Sequence, residues 1–165
     1  MSSLEYPDRH HLNAAAGWLD LDNLDEARAE LLKISPDRAN HPEVLGLTWQ
    51  VQAAALDWEA ALQTARRHVC AQPDSAAAWI QQSYALHELR RTEEAYRELH
   101  EVAGRFTDEG TVAYNLACYT CQLGRLDEAK NWLRKAGTLL GKKAVVRMAA
   151  DDADLEPLKL ELKSL

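Results

Sequence analysis

The stretch Tyr114–Ala129, with the sequence YNLACYTCQLGRLDEA, ends in an alanine that follows an acidic residue by two positions. The same acid-x-Ala pattern recurs along the chain at a constant step of 34 residues. Its four alanines are Ala27, Ala61, Ala95 and Ala129. Self-similarity at a fixed period of this length is typical of stacked supersecondary elements, so the sequence predicts a repeat protein.

Two further columns support the period. Numbering each repeat so that this alanine is position 20 divides the chain into repeats 8–41, 42–75, 76–109 and 110–143. Positions 14 and 24 then hold leucine or alanine in every repeat. These residues are Leu21, Ala55, Leu89 and Leu123 at position 14, and Leu31, Ala65, Leu99 and Leu133 at position 24. Such columns are expected where paired helices interdigitate.

The fourth repeat resembles a tetratricopeptide repeat, a family whose unit is a pair of antiparallel helices. The residues that carry the resemblance are Leu116, Ala117, Gly124, Ala129 and Leu133, with Trp79 in the third repeat and Pro73 in the second. The likeness covers residues 8–143. It implies an all-α fold, in which residues 1–143 form a right-handed superhelical array of four helix-turn-helix repeats and residues 144–165 form a C-terminal cap of the same domain.

Capping and helix-terminating residues indicate where the helices begin and end. Gly124 can close a helix in the left-handed conformation, and Asn23 and Thr92 are suitable N-caps. The predicted helices are residues 8–21, 24–35, 42–55, 58–71, 75–89, 92–106, 109–123 and 126–140.

Composition and charge narrow the function classes. The formal net charge of -7 would repel a phosphate backbone, so we expect no nucleic-acid partner. The first residues contain no apolar signal segment, and no apolar run reaches transmembrane length, so we expect no membrane partner. Three cysteines, an odd number, fit a reducing compartment. The sequence therefore predicts a cytoplasmic protein.

One face of the first helix in each repeat is expected to line a concave groove. Each helical residue advances about 100°, so positions 2, 5, 9, 12 and 13 share a face. The candidate binding residues on or beside it are Asn13, Leu47, Gln50, Ile80, Gln81, Tyr84, His87, Tyr114, Asn115, Cys118 and Gln122. Their aromatic and aliphatic side chains offer apolar contact, and their amides can hydrogen-bond a peptide backbone.

The Cys118-x-x-Cys121 spacing raises the question of redox or zinc chemistry. The pair falls in the middle and last turn of a predicted helix, whereas a low thiol pKa requires a helix N-terminus or a nearby cation. A zinc site would need two further ligands, and the plausible neighbour is His87 alone. We expect reduced thiols in the groove, with no metal and no cofactor. A thiol or metal sensor built from Cys118, Cys121 and His87 is an alternative.

These features predict a non-enzymatic scaffold or adaptor that binds a peptide or helix of a partner protein in its groove. No Ser-His-Asp order, phosphate loop or catalytic carboxylate pair stands out. A secretion-type chaperone for an amphipathic client is an alternative, as are binding through the convex face and self-association. Some family members bind the acidic C-terminal tails of chaperones through a carboxylate clamp, in which Lys and Arg act together with Asn. Asn13 and Asn115 match the Asn positions, but the Lys and Arg residues are missing from the later repeats, so we do not expect chaperone tails as ligands.

The segment after the fourth repeat is predicted to cover an end of the array. Its sequence is KKAVVRMAADDADLEPLKLELKSL, residues 142–165. It resembles the tail after the last repeat of some bacterial tetratricopeptide proteins, which carries a similar Asp-Asp-x-Asp-Leu-x-x-Leu run. We expect one more helix around Val145, followed by a cap that docks Leu155 and Leu158 onto helix 126–140. A detachable tail that binds its own groove or a partner is the alternative.

Overall fold

The computed structural model describes residues 3–161, and every regular element in that range is helical. The α-helices are α1 (Asp8–Asp20), α2 (Leu24–Leu31), α3 (Pro42–Ala54), α4 (Trp58–Ala71), α5 (Ala76–Glu88), α6 (Thr92–Val102), α7 (Gly110–Gln122), α8 (Leu126–Leu140) and α9 (Lys142–Asp151). Short 3-10 helices occupy Pro36–Arg38, Ala103–Arg105 and Ala153–Leu158. The eight predicted helices and the extra C-terminal helix are confirmed. Residues 162–165 of the predicted cap lie outside the described residues.

Two helices end four residues before the predicted position, and the other helix ends lie within one residue of it. The second helix was expected to reach residue 35 and the sixth to reach residue 106. Instead, α2 ends at Leu31 and α6 ends at Val102, and a 3-10 helix lies beyond each of them. The Asn23 side chain caps α2 by accepting the Glu26 N–H, as predicted. The N-cap of α6 is Arg91 rather than Thr92, and the Thr92 hydroxyl instead contacts His87.

The backbone carries the same period as the sequence. Positive φ angles occur at Asp22 (56°), Leu56 (56°), Arg90 (63°) and Gly124 (75°), each just after an odd-numbered helix. Only the last of these is a glycine. Because a leucine or arginine pays a steric penalty in the left-handed region, helix packing must impose this turn at Leu56 and Arg90.

The alanine column lies in the packed core. Ala27, Ala61, Ala95 and Ala129 are all fully buried. A larger side chain at these sites would have to push neighbouring helices apart, which explains why the same small residue recurs. The division into four repeats stays a prediction.

The chain forms two compact bodies, an N-terminal body (Met1–Ala85) and a C-terminal body (Leu86–Leu165). In the N-terminal body α1 packs on α2, α3 packs on α4, and α3 also contacts α1 and α2. Its core includes a cluster of Leu4, Leu12, Ile34 and Val44, bordered by Leu31 and Leu47. The buried Asp8 carboxylate accepts hydrogen bonds from the N–H and hydroxyl of Ser35, which ties the start of α1 to the chain beyond α2.

In the C-terminal body α7 is the central helix. It packs extensively against α8 and also contacts α6 and the last 3-10 helix, while α9 packs on α8. The side chains of α7 are buried on all sides of the helix. From Val112 through Cys121 every residue is buried except Asn115, which is half-buried. A polar cluster joins α6 to α8: the Tyr96 hydroxyl donates to Glu128 (2.8 Å), and the Arg125 guanidinium lies 4.2 Å from the Tyr96 ring centroid.

Candidate functional site

An open cleft in the N-terminal body gathers four of the predicted groove residues. Asn13, Leu47, Gln50 and Gln81 all line this cleft, which has a volume of about 480 Å³. They come from α1, α3 and α5. The other lining residues are Arg9, Leu12, Ala16, Pro42, Glu43, Gly46, His68, Gln72, Ser75 and Ala77.

The cleft combines amide side chains with a fixed ion pair. Arg9 binds Glu43 through both guanidinium nitrogens, with Nη2 2.8 Å from Oε1. This hydrogen bonding holds the pKa of Glu43 below its usual value. The buried His68 ring, which also lines the cleft, contacts the Gln81 amide oxygen through Nδ1 (2.8 Å). The cleft therefore offers neutral hydrogen-bonding groups, while its strongest charges neutralise each other.

Two predicted groove residues of α5 lie outside this cleft. Ile80 is half-buried and does not line it. Tyr84 packs edge-on against two tryptophans, with ring centroids 6.2 Å from Trp49 and 5.6 Å from Trp58. The half-buried Trp49 ring has a buried indole nitrogen that finds no hydrogen-bond partner among residues 3–161.

In the C-terminal body, the chain's own C-terminal segment covers the predicted groove face. We call residues 152–158 the tail. It packs mainly against α7, with smaller contacts to α8 and α9. Sequence reasoning placed its docking site on α8, but the main surface is α7. Leu155 and Leu158 are fully buried, as a docked cap requires.

The tail meets four hydrogen-bond donors, which together we call the donor face. The donor face consists of His87, Tyr114, Cys118 and Gln122, all predicted as groove residues. Tyr114 Oη donates to Asp152 Oδ2 (2.8 Å), and Cys118 Sγ donates to the same oxygen (3.5 Å). His87 Nε2 lies 2.8 Å from Asp154 Oδ2, and Gln122 Nε2 donates to the Asp154 carbonyl oxygen (2.9 Å).

The orientation of His87 is set by its own neighbours. Its Nδ1 lies 3.0 Å from the Thr92 hydroxyl, and its ring lies 5.0 Å from that of Tyr119. A hydroxyl that donates to Nδ1 leaves the proton on Nε2, which then points at Asp154. The remaining predicted groove residue of this body, Asn115, is half-buried on α7.

The two cysteines beneath the tail have an environment that disfavours thiolate. Burial raises the pKa of Cys118, and the Asp152 and Asp154 carboxylates raise it further. Burial and the same carboxylates also raise the pKa of Cys121. Burial, Cys118 and Asp152 raise the pKa of Tyr114 in the same way. These shifts are opposite in direction to those of nucleophilic cysteines, which need a lowered pKa.

One group of side chains in the described part of the chain has spacing suited to a metal ion. Single ligand atoms of Cys118, Asp152 and Asp154 all lie within 4.8 Å of one another. This group does not include Cys121 or His87, the other two residues of the sequence-based alternative. Zinc accepts both thiolate sulfur and carboxylate oxygen as ligands.

Sequence reasoning missed Asp152 and Asp154 as partners of the predicted groove. The Asp-Asp-x-Asp-Leu run predicts a cap, but this prediction does not pair its carboxylates with the donors at the groove positions. The signal was available, since the tail offers acceptors and the donor face offers donors.

Comparison with known proteins identifies the fold. No protein-family model matches the sequence, and no curated protein matches it at a significant level. Solved structures of MamA, a tetratricopeptide-like protein, do match. A structure described as MamA 41-end from Desulfovibrio magneticus RS-1 has 16% identity and a TM-score of 0.73, with 98% of this chain and 94% of that chain covered. A second MamA crystal structure has 17% identity and a TM-score of 0.75, with 96% and 83% covered. This chain has a tetratricopeptide-type helical repeat fold.

The tetratricopeptide-type fold explains the packing of the elements described above. A third MamA structure agrees over 84% of this chain and 81% of its own, with 15% identity and a TM-score of 0.73. At such identities the likeness concerns the fold, and binding residues cannot be transferred position by position. No helix among residues 3–161 has the length and apolar character needed to cross a bilayer.

Proposed function

We propose that this tetratricopeptide-type protein is a protein-binding scaffold, and that its N-terminal body holds a peptide segment of a partner in the open cleft. The proposal is carried by one observation: Asn13, Leu47, Gln50 and Gln81, which come from three helices, line the same cleft. The tetratricopeptide-type fold supports it because stacked helix pairs build extended concave binding surfaces.

The chemistry of the cleft suits an extended backbone. The amides of Asn13 and Gln50 each offer both donors and an acceptor, and can therefore pair with peptide N–H and C=O groups, whereas Gln81, whose amide oxygen contacts His68, offers its amide N–H donors. Leu47 adds an apolar contact, which favours a partner segment with an aliphatic side chain. The paired Arg9 and Glu43 fix one edge without a net charge, so recognition there does not depend on a strongly charged ligand.

The test is a double substitution of two exposed cleft residues, Asn13→Ala with Gln50→Ala. The matched control is Glu59→Ala with Gln63→Ala, which replaces an exposed amide and an exposed carboxylate on α4, outside this cleft. Peptides selected from a displayed random-sequence library against the wild-type chain serve as probes, together with partners captured from extract. Binding is measured by titration and folding by a melting curve.

We expect the cleft variant to lose at least about tenfold in peptide affinity, because each lost hydrogen bond is worth about 1 kcal/mol. Its melting curve and that of the control should match the wild type, since all four side chains are exposed. Equal peptide affinity in the cleft variant and the control would move the binding surface elsewhere and contradict this proposal.

A second candidate function, binding of a divalent cation, is favoured by the grouping of Cys118, Asp152 and Asp154. An ion there would join α7 to the tail through one sulfur and two carboxylate oxygens. Binding would require the thiol to ionise, so uptake would release a proton and strengthen as the pH rises.

Equilibrium dialysis with zinc tests this candidate. Wild type and the Cys70→Ala control should bind one equivalent with the same affinity, whereas Cys118→Ala should lose it. Cys70 is an exposed thiol outside the grouping, so it controls for general thiol binding. Zinc retained in Cys118→Ala, or lost equally in both variants, would exclude a site at the tail.

A further inference from the structure

We propose that the donor face is a second recognition site, specific for an acidic peptide of the pattern Asp-x-Asp-Leu-x-x-Leu, and that the tail occupies it until such a partner segment displaces it. This site lies wholly within residues 86–165. It is independent of the cleft proposed above, which belongs to the N-terminal body.

The donor face favours carboxylates because Tyr114 and Cys118 both donate to the Asp152 carboxylate and His87 Nε2 lies against the Asp154 carboxylate. The four contacts end on two carboxylate oxygens and one carbonyl oxygen. Hydrogen bonds to a charged acceptor are roughly twice as strong as neutral ones. A segment with Asn at both Asp positions would keep its shape but lose this advantage.

The spacing of the anchors defines the motif. Asp152 and Asp154 are two residues apart, and Leu155 and Leu158 follow at the third and sixth positions after Asp152. Asp152 also accepts the Asp154 N–H through its other oxygen (2.9 Å), which starts the 3-10 helix that turns both leucines inward. A single short segment thus supplies both the polar and the apolar contacts.

The tail resembles a bound ligand more than a built-in helix. It is a six-residue 3-10 helix that contains Pro157, so it has little helical hydrogen bonding of its own. Its carboxylates remain partly open to water: the Asp154 side chain is 30% exposed. A competing carboxylate can therefore reach the rim of the site before the leucines leave.

The test uses the full chain with Leu155→Ala, which loosens the tail but leaves the donor face intact. The buried Cys118 and Cys121 report coverage of the face through their rate of reaction with a maleimide, and the exposed Cys70 is the internal reference. The probe is the synthetic peptide DDADLEPLKLE, residues 151–161, in a buffer that contains a chelator. The control peptide carries Asn in place of Asp152 and Asp154.

We expect the probe to protect Cys118 and Cys121 in the Leu155→Ala chain, and the control peptide to protect them at least about tenfold less effectively. A fluorescent form of the probe should bind wild type at least about tenfold more weakly than Leu155→Ala, because the intact tail competes. Equal affinity for both chains, equal protection by both peptides, or no protection would each overturn the proposal.

A second variant guards against a folding defect. Asp152→Asn with Asp154→Asn weakens the tail without removing its leucines, and the probe should protect the cysteines of this chain as well. Unfolding of both variants, seen by circular dichroism, would overturn the proposal, because a segment that a partner displaces cannot be required for folding. Protection that rises with protein concentration alone would indicate tail exchange between copies and would also overturn it.

Discussion

Replacing Leu155 by alanine should release the tail from α7 and expose two thiols that are otherwise buried. Leu155 is fully buried, whereas Leu160, three residues beyond Pro157, is 100% exposed. Leu160→Ala is therefore a matched control: the same substitution, close by in the chain, with no packing to lose. Cys118 and Cys121 are 5% and 3% exposed beneath the tail.

The magnitude follows from the burial. A leucine-to-alanine change in a packed core costs about 2–5 kcal/mol, which combines lost transfer energy and the cavity left behind. Each 1.4 kcal/mol is about a factor of ten in an equilibrium constant. If the tail opens locally, its opening constant should rise at least about 30-fold, and up to about 4,000-fold at the upper end of the range.

The assay is maleimide labelling under native conditions, read by mass spectrometry for each cysteine. In Leu155→Ala the labelling of Cys118 and Cys121 should rise about 30-fold or more, with the rate at Cys70 as a ceiling, while Leu160→Ala should match wild type. Labelling rates that depend only weakly on denaturant would identify local opening rather than global unfolding. Unchanged rates at both buried thiols in a folded Leu155→Ala chain would show that the tail is not what covers them.

Two further predictions concern stability. Leu56 has a φ of 56° and is 72% exposed. Leu56→Gly should therefore relieve backbone strain without loss of packing and raise the free energy of unfolding by about 0.5–1 kcal/mol. A lower free energy of unfolding, measured by chemical denaturation, would contradict the strain argument. Burial raises the pKa of Cys118 above its ordinary value of 9.0. Below pH 9 the thiol is protonated in both the folded and the unfolded chain, so its contribution to the free energy of unfolding is fully present there. Above that pH the unfolded chain ionises first, and the free energy of unfolding should fall by roughly 1.4 kcal/mol per pH unit for this group. Cys118→Ala should flatten that fall relative to the control Cys70→Ala, and equal slopes would refute it.

Most of the fold could be predicted because the signals that encode it are local and repeat. The acid-x-Ala period placed eight helices, and the alanines that defined it are fully buried. The turn conformation was harder to predict. Gly124 indicated a left-handed residue, but Leu56 and Arg90 adopt the same conformation without any local preference for it. Tertiary packing decides those positions, and single residues do not reveal it.

The candidate site could be predicted only in part, for a similar reason. Helical geometry identified Tyr114, Cys118 and Gln122 as residues of one face, and they do meet one segment of chain. Which segment covers that face depends on contacts between residues more than 30 positions apart, such as Tyr114 with Asp152. Periodicity carries no information about such pairs, so the occupant could not be derived from the repeat itself.

The difference between the two bodies follows in part from position 9 of the repeat. In the second repeat this position holds Gln50, whose exposed amide is solvated in an open cleft at little cost. In the fourth repeat it holds Cys118, a buried thiol, and the same helix face also carries the Tyr114 ring and the Cys121 thiol, which have weak affinity for water. Such a face gains stability when it is covered, and a segment with two carboxylates and two leucines satisfies both its donors and its apolar surface. Under the two proposals above, a partner for this face would have to match the tail in both respects, whereas a partner for the cleft would need backbone hydrogen-bonding groups and an aliphatic side chain for Leu47.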